Sequence, residues 1–409
     1  MIDNRDLLSK ICIEYGSPCY LFDKKSFVTN YQKFEGIMKS EYDKYQIAYS
    51  YKTNYAPYIC RLVKSLGGYA EVVSDMEYYF AKQNGYCDKK IIYNGPCKGN
   101  LAKKMLLGGG MLNIDNLEEL NEIVNFAREN TNCQLNIGLR LNIDIGQSFV
   151  SRFGIDADSE ELVIALKMIG EVDNLSVFGL HCHIGQSRTL QAWENRAKRV
   201  LDIVDRYFKN VKLKYIDLGS GMYGEMEQEL SDQFGIDLPS YEEYAKTIGK
   251  VFRKYYDDWK YEDKPILFTE PGTTLINHYI DFVGTVYSIK HIRGKEFVVL
   301  DCSKNNLGEI CTLKKLPISI IHNGKKTETL SDAKFVGYTC LEHDVMYSGY
   351  KGDLAVGDYV VFGNVGGYSN VDKPPFILPN CPMISVEGAN VELIKNRETY
   401  DDVLSTYTM

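Results

Sequence analysis

The 409-residue sequence predicts an α/β protein built as a closed (β/α)8 barrel of the TIM type followed by a C-terminal β domain. Three observations carry that expectation. Short runs rich in Val, Ile and Tyr alternate with helically spaced stretches through two thirds of the chain, the rhythm of parallel strands joined by crossover helices. The runs number eight, and closing eight strands into a barrel removes both sheet edges with none left over. After Pro271-Gly272 the helical spacing stops, and β-rich segments separated by turn residues take over.

The strand runs fall at 46–51, 69–74, 90–93, 111–114, 135–141, 177–181, 215–218 and 266–269. Helical spacing fills 56–66, 76–84, 117–129, 162–169, 190–208 and 241–256. Asn116 and Asp158 each stand three residues ahead of a glutamate, Glu119 and Glu161, where a side-chain acceptor satisfies the unpaired N–H groups of a first turn. In the last third, 282–290, 297–300, 318–322 and 359–362 read as strands. The proline-rich stretch 373–379 reads as an irregular crossing, because proline cannot donate to a sheet ladder. The expected domains are a barrel at 22–266 and a β-rich domain made of 1–21 with 267–409.

Composition narrows the function classes. With 44 % hydrophobic and 25 % charged residues the chain is an ordinary globular one, which excludes disorder and coiled coil. Lys+Arg of 47 against Asp+Glu of 55 gives a net charge of −8 with no basic run, so nucleic acid is not an expected partner. No apolar run approaches the roughly 20 residues of a membrane span, and the first residues lack an apolar leader; a cytoplasmic location is expected. The eleven cysteines include no C-x-x-C pair, and Cys60, Cys133 and Cys182 read as reduced, buried small hydrophobes.

In a β/α barrel the working residues stand where strands end, because the interior is packed solid. Lys52, Glu71, Asn94, Arg140, Asn142, His181, His183 and Glu270 all fall at such ends. Lys52 emerges from an aromatic-walled strand, where desolvation disfavours the ammonium form and suits the amine to imine formation with an aldehyde. Gly219-Ser220-Gly221 lets backbone amides approach an anion, or serves as a plain turn. The pair in His181-Cys182-His183 suits either zinc, with Asp217 and Glu270, or one imidazole stacked on a flat cofactor ring, and spacing does not choose between them.

Taken together and in order, Tyr15-Gly-Ser-Pro-Cys-Tyr-Leu-Phe-Asp23, Tyr49-Ser-Tyr-Lys-Thr-Asn54, Glu71-Val-Val-Ser-Asp-Met-Glu77, Gly179-Leu-His-Cys-His-Ile-Gly185, Asp217-Leu-Gly-Ser-Gly221, Glu270-Pro-Gly272, Gly337-Tyr-Thr-Cys340 and Gly366-Gly-Tyr-Ser369 resemble one family. It is the pyridoxal-phosphate decarboxylases of the alanine-racemase-like fold (fold type III), which act on ornithine, diaminopimelate and arginine. In motif order the chain is most similar to diaminopimelate decarboxylases. The resemblance implies pyridoxal 5'-phosphate as a Schiff base on Lys52, Glu270 on the pyridine nitrogen, and His183 stacked on the ring. The carbanion left when CO₂ departs is then held as a quinonoid. It also implies Gly219, Ser220, Gly221, Gly272 and Tyr368 around the cofactor, with Glu71 near the ring substituents. Arg140, Asn142, Glu342 and Asp344 would face the substrate. Cys340 would be the acid that reprotonates Cα, reaching in from the second protomer of a homodimer with shared active sites. No metal is implied.

The sequence also departs from that family. Leu341 follows Cys340 where relatives acting on diamines or diaminopimelate usually carry an acid, and Thr273 stands where arginine is common. Gln186 follows Gly185, and Cys302-Ser303 replaces a Gly-Gly pair, while the string from Cys340 to Asp344 is similar to the carboxynorspermidine branch. The substrate expected is therefore either meso-diaminopimelate, for lysine biosynthesis, or a specialised biosynthetic amino acid. Three other readings are weighed against this one: an amino-acid racemase of the same fold, a metal-dependent TIM-barrel hydrolase, and an idle binding module. Retention of Lys52, Glu270 and Cys340 together argues against the last.

Overall fold

Residues 4–408 are described by the structure, a computed structural model. The described residues divide into two compact units: Tyr31–Tyr223 with Pro239–Gly272, and 4–30 with 224–238 and 273–408. Strand β1 (Cys19–Asp23) belongs to the second of these.

The first unit is the barrel. Its strands are β2 (Tyr45–Ser50), β3 (Tyr69–Val72), β4 (Ile91–Tyr93), β5 (Met111–Ile114), β6 (Leu135–Asn142), β7 (Ile155–Asp156), β8 (Leu175–His181), β9 (Tyr215–Asp217) and β10 (Ile266–Thr269). All but the two-residue β7 pair in parallel around a closed ring, with β5 joined to β6 and β10 returning to β2. Each of the eight expected runs is a strand, with ends moved by a few residues. The strands are almost wholly buried, as parallel strands are when side chains fill one face and helices cover the other. Ala48, Tyr69, Ile92, Met111, Tyr215 and Phe268, from six strands, meet in one cluster, which only inward-pointing side chains can do.

Helices Leu117–Glu129 and Tyr241–Tyr256 have the expected bounds. The latter buries Tyr244, Ala245, Ile248 and Phe252 at helical spacing and begins with a reciprocal Ser240–Glu243 cap. Asn116 caps its helix by accepting from the Glu119 N–H at 2.9 Å. Asp158 does not cap the next one. Ser159 stands one residue nearer, and its hydroxyl accepts from the Glu161 N–H at 3.1 Å, while the Asp158 carboxylate pairs with Arg199. Helix Asn100–Leu107 was not expected, since eight residues between glycines show little more than two turns of period. Cys133, expected to be buried, is exposed, because it lies in a polar loop ahead of β6. All eleven cysteines are unpaired.

The second unit is a sheet of β1, β11 (Ile280–Ile292), β12 (Lys295–Leu300), β13 (Ile318–Ile321), β14 (Glu328–Val336), β15 (Val345–Leu354), β16 (Tyr359–Phe362), β17 (Met383–Glu387) and β18 (Asn390–Lys395). The order runs β15-β14-β12-β11-β1-β17-β18, with β16 bridging β11 and β13. Four expected strands are present; β1, β14, β15, β17 and β18 are additional. Segment 373–379 is irregular, as its prolines require. Among the described residues no helix is long and apolar enough to cross a membrane.

Candidate active site

Strand β2 ends in a 3-10 turn, Tyr51–Thr53, that buries Tyr51 and Thr53 and leaves Lys52 between them part-exposed. Gly272 packs on that turn so closely that a Cβ there would lie 2.0 Å from Thr53 Oγ1, which makes glycine a steric requirement. Lys52 Nζ lies 2.6 Å from Oε2 of Glu71, a buried carboxylate at the end of β3. Ser50 Oγ donates to the same oxygen at 2.7 Å, and Asn94 Nδ2 reaches Oε1 at 3.3 Å.

Glu270, at the end of β10 and fully buried, stands between the two imidazoles of His181 and His183. His183 Nδ1 is 3.1 Å from Oε2, and Asn94 Nδ2 donates to Oε1. His181 Nε2 also lies 3.1 Å from Oε1, but off hydrogen-bond alignment, so both of its buried ring nitrogens lack a hydrogen-bond partner among the described residues. Burial pushes the Glu270 carboxyl upward, but His181 and His183 outweigh it and hold the group well below the usual carboxylate range. Burial lowers both imidazoles. Asp217 goes the other way: burial, reinforced by the charge of Glu270, raises it well above the usual range. Two neighbouring carboxyls are thereby pushed in opposite directions, Glu270 toward the ionised form and Asp217 toward the protonated one.

The loop after β9 curls against the one after β8. Gly219 has φ +67°, and a Cβ there would lie 2.7 Å from Cα, Cβ and Nδ1 of His183. Asp217 Oδ1 accepts the Gly219 N–H at 2.8 Å, and His183 Nδ1 accepts that of Ser220 at 3.1 Å. Both loops are tied down by Arg196, which the sequence reading missed. Its fully buried guanidinium donates to the carbonyls of Ile184 (2.6 Å), Leu218 (2.7 Å) and Ser220 (2.9 Å). Beside it, Trp193 Nε1 donates to Gly221 O at 3.1 Å. Burial pulls the Arg196 guanidinium down to about 10. One signal was present: an arginine set among Trp193, Ala197, Val200, Leu201 and Val204 interrupts an apolar helix face, which a charge does only when it has partners there.

Arg140 is buried, pairs with Asp115 at 3.1 Å, donates to Asn94 O at 3.2 Å and stacks on Phe153. Asn142 commits its amide to the carbonyls of Ser151 (2.7 Å) and Phe153 (2.8 Å), holding the loop that leads to β7.

In the sheet unit, Cys340 is exposed in a turn between β14 and β15, with Leu341 and Glu342 also exposed. These residues line a groove of about 630 Å³ together with Lys290, Lys334 and Tyr338. Asp344 is buried, and its carboxylate accepts from Ser303 Oγ (3.1 Å), Lys304 N (2.8 Å), Thr339 N (3.3 Å) and Thr339 Oγ1 (2.6 Å). It therefore anchors the Cys340 turn to Ser303, one of the two residues that stand in place of a glycine pair. Tyr368 is exposed with φ +59°, on a loop where Gly366 backs onto Ile276 O.

Within the barrel, then, an amine beside a carboxylate, an ionised acid between two imidazoles, and a glycine-lined loop share one rim. That set can hold a flat, phosphorylated carbonyl compound. It can also be read as a metal site, since ligand atoms of His181, His183 and Glu270 lie within 4.8 Å of one another.

Comparison with known proteins separates these readings. The family model for the pyridoxal-dependent decarboxylase pyridoxal binding domain matches residues 30–277, and that for the C-terminal sheet domain of such decarboxylases matches 199–366. The chain is 26 % identical to a diaminopimelate decarboxylase of Methanocaldococcus jannaschii over 99 % of its length and 94 % of the relative's. It is also 26 % identical to one of Archaeoglobus fulgidus, over 97 % and 94 %. A crystal structure of the M. jannaschii enzyme with L-lysine superposes with a TM-score of 0.83 at 26 % identity, covering 98 % of this chain and 94 % of that one. The racemase and the metal-dependent hydrolase find no support in these matches.

Proposed function

The chain belongs to the pyridoxal-dependent decarboxylases, and from that premise we propose that it holds pyridoxal 5'-phosphate at Lys52 and removes the α-carboxylate of meso-diaminopimelate. The observation that carries the reading is the Lys52 amine at 2.6 Å from buried Glu71, on the rim where Glu270 lies between two histidines. The donor set fits the cofactor: both ring nitrogens of His181 are buried without a hydrogen-bond partner among the described residues, and the loop at Gly219 leaves no room for a side chain against His183.

Bound there, the cofactor supplies an electron sink for the charge left at Cα when the carboxylate departs. The residues do the rest. Glu270 stays ionised in the dry barrel and would hold a proton on the ring nitrogen. The part-exposed His183 offers a ring face. With the amides of Gly219 and Ser220 already taken, the Ser220 hydroxyl and the Gly221 N–H would be the loop's donors for phosphate. Gly272 keeps the Lys52 turn in place. Arg140 and Asn142 would shape the substrate side of the rim, and Glu342 would meet the substrate's distal end. Cys340, exposed on its turn, would return a proton to Cα from a second copy of the chain, and Asp344 would hold that turn.

The test is CO₂ release from meso-diaminopimelate, ornithine, arginine and carboxynorspermidine by the cofactor-loaded protein, with borohydride reduction followed by peptide mass analysis. Release from meso-diaminopimelate and a tag on the Lys52 peptide are expected. Release only from another substrate overturns the substrate assignment, and an untagged Lys52 overturns the whole reading.

A further inference from the structure

A chain of buried polar side chains crosses the barrel behind the two site acids. Tyr215 OH donates to Asn113 Oδ1 at 2.7 Å, and Asn113 Nδ2 donates to Asn94 Oδ1 at 2.6 Å. Asn94 Nδ2 then donates to both Glu71 Oε1, at 3.3 Å, and Glu270 Oε1. The direction is fixed from the acid end. An ionised carboxylate only accepts, so Asn94 must present its NH₂ there and its oxygen to Asn113; Asn113 is set the same way, and the phenol must donate.

The barrel is shaped around this chain. A Cβ at Gly138, inside β6, would lie 1.8 Å from Asn113 Oδ1 and 2.2 Å from the Tyr215 hydroxyl. One at Gly179, inside β8, would lie 2.2 Å from Tyr215 Cζ. Glycine weakens a strand interior, so two of them here point to space reserved for these polar groups. Asn94, Asn113 and Tyr215 are each at most 2 % exposed, too dry for bulk water to replace a missing donor.

We propose that Tyr215, Asn113 and Asn94 form a one-way hydrogen-bond relay that holds the Glu71 and Glu270 carboxylates in place together, with Asn94 as the positioning residue acting through both. The inference rests on the reading of these two acids as cofactor-site residues and goes beyond it by naming what positions them. The other groups facing them are Lys52 and Glu77 at Glu71, and His181, His183 and Asp217 at Glu270; Arg140 holds the Asn94 carbonyl. Of these, Glu77 adds negative charge near Glu71, and Asp217 would do so near Glu270 if ionised, so a neutral double donor is what the pair lacks elsewhere.

The experiment is ¹³C-carboxyl NMR titration of the full-length protein labelled at glutamate, without and with pyridoxal phosphate, beside the pH profile of CO₂ release. Tyr215→Phe takes away the donor to Asn113 Oδ1 and loosens the amide pair that ends on Asn94. The Glu270 midpoint, held low in the wild type, should rise by about one pH unit, and the acid limb of the CO₂ profile should move up with it. Asn94→Asp replaces the double donor with a third carboxylate and should raise the midpoint further, which keeps the test open if the first variant folds poorly. A wild-type midpoint in either folded variant overturns the relay. Failure of the decarboxylase reading would show separately, as a wild-type protein that releases no CO₂ while its carboxyl titration remains readable.

Discussion

Lys52 and Glu71 share one contact of 2.6 Å, and the oxygen that makes it also accepts the Ser50 hydroxyl, so the lysine is held by a carboxylate that water does not reach. Replacing that acid with its amide keeps the shape and removes the charge. Glu71→Gln is expected to lower stability by about 1–2 kcal/mol, discounted for the part-exposed lysine. Cofactor affinity should fall about tenfold. Urea unfolding and a fluorescence titration with pyridoxal phosphate check the two parts.

Arg196→Met leaves the carbonyls of Ile184, Leu218 and Ser220 buried without donors. A loss of about 3 kcal/mol or more is expected, since each unsatisfied buried group costs about 1–3 kcal/mol. Phosphate-dependent cofactor binding should weaken more than binding of unphosphorylated pyridoxal, because the two loops tied by the guanidinium include the proposed phosphate donors. Binding of both forms, compared with thermal unfolding, checks it.

Gly219→Ala meets two penalties at once, a left-handed backbone and a Cβ driven into His183. The cost should be about 1–3 kcal/mol. His183 should move, which a crystal structure of the variant would reveal.

Asp344→Asn turns an NH₂ toward groups that now donate to a carboxylate. A destabilisation of about 2 kcal/mol is expected. Hydrogen exchange at 337–345 should quicken, and CO₂ release should fall as the Cys340 turn loosens.

Glu77 contributes a pH dependence. Burial, with Glu71 adding to it, pushes its carboxyl up to about 7. A carboxyl whose folded pKa is raised holds its proton more tightly when folded, so it favours folding at acid pH. That contribution is lost as pH rises from the unfolded value near 4.5 to about 7. Glu77→Gln, which keeps an acceptor for the Val73 N–H, should remove up to about 3 kcal/mol of this loss. Unfolding curves of both proteins at pH 5 and pH 8 give the difference.

The barrel strands are legible in the sequence because buried parallel strands carry Val, Ile and Tyr on both faces, as 45–50 and 91–93 do. The later strands β14 and β15 are not, since each exposes one face and interleaves Lys, Asp, Ser and Gly with its apolar positions. The same contrast holds at the site. Lys52, Glu71, His183 and Glu270 stand out as polar residues at the ends of apolar runs. The Tyr215–Asn113 pair does not, because what defines it is a partner 102 residues away, and Arg196 is marked only by its place on an apolar helix face, because its partners are backbone carbonyls that no residue type betrays. Asp158 shows the limit at short range: two adjacent residues can both cap, and here Ser159 does so while Asp158 pairs with Arg199.

Strand β1 lies between β11, which it meets in antiparallel register from Cys19 to Val283, and β17, which it meets in parallel from Tyr20 to Met383. Its two neighbours are therefore made by the ribosome long after it, one more than 250 and the other more than 350 residues later. While the barrel segments are being translated, Cys19–Asp23 has two bare hydrogen-bonding edges and an apolar composition, the combination that invites pairing with other nascent chains. Shielding of that short stretch during synthesis should then raise the share of chains that reach the folded state.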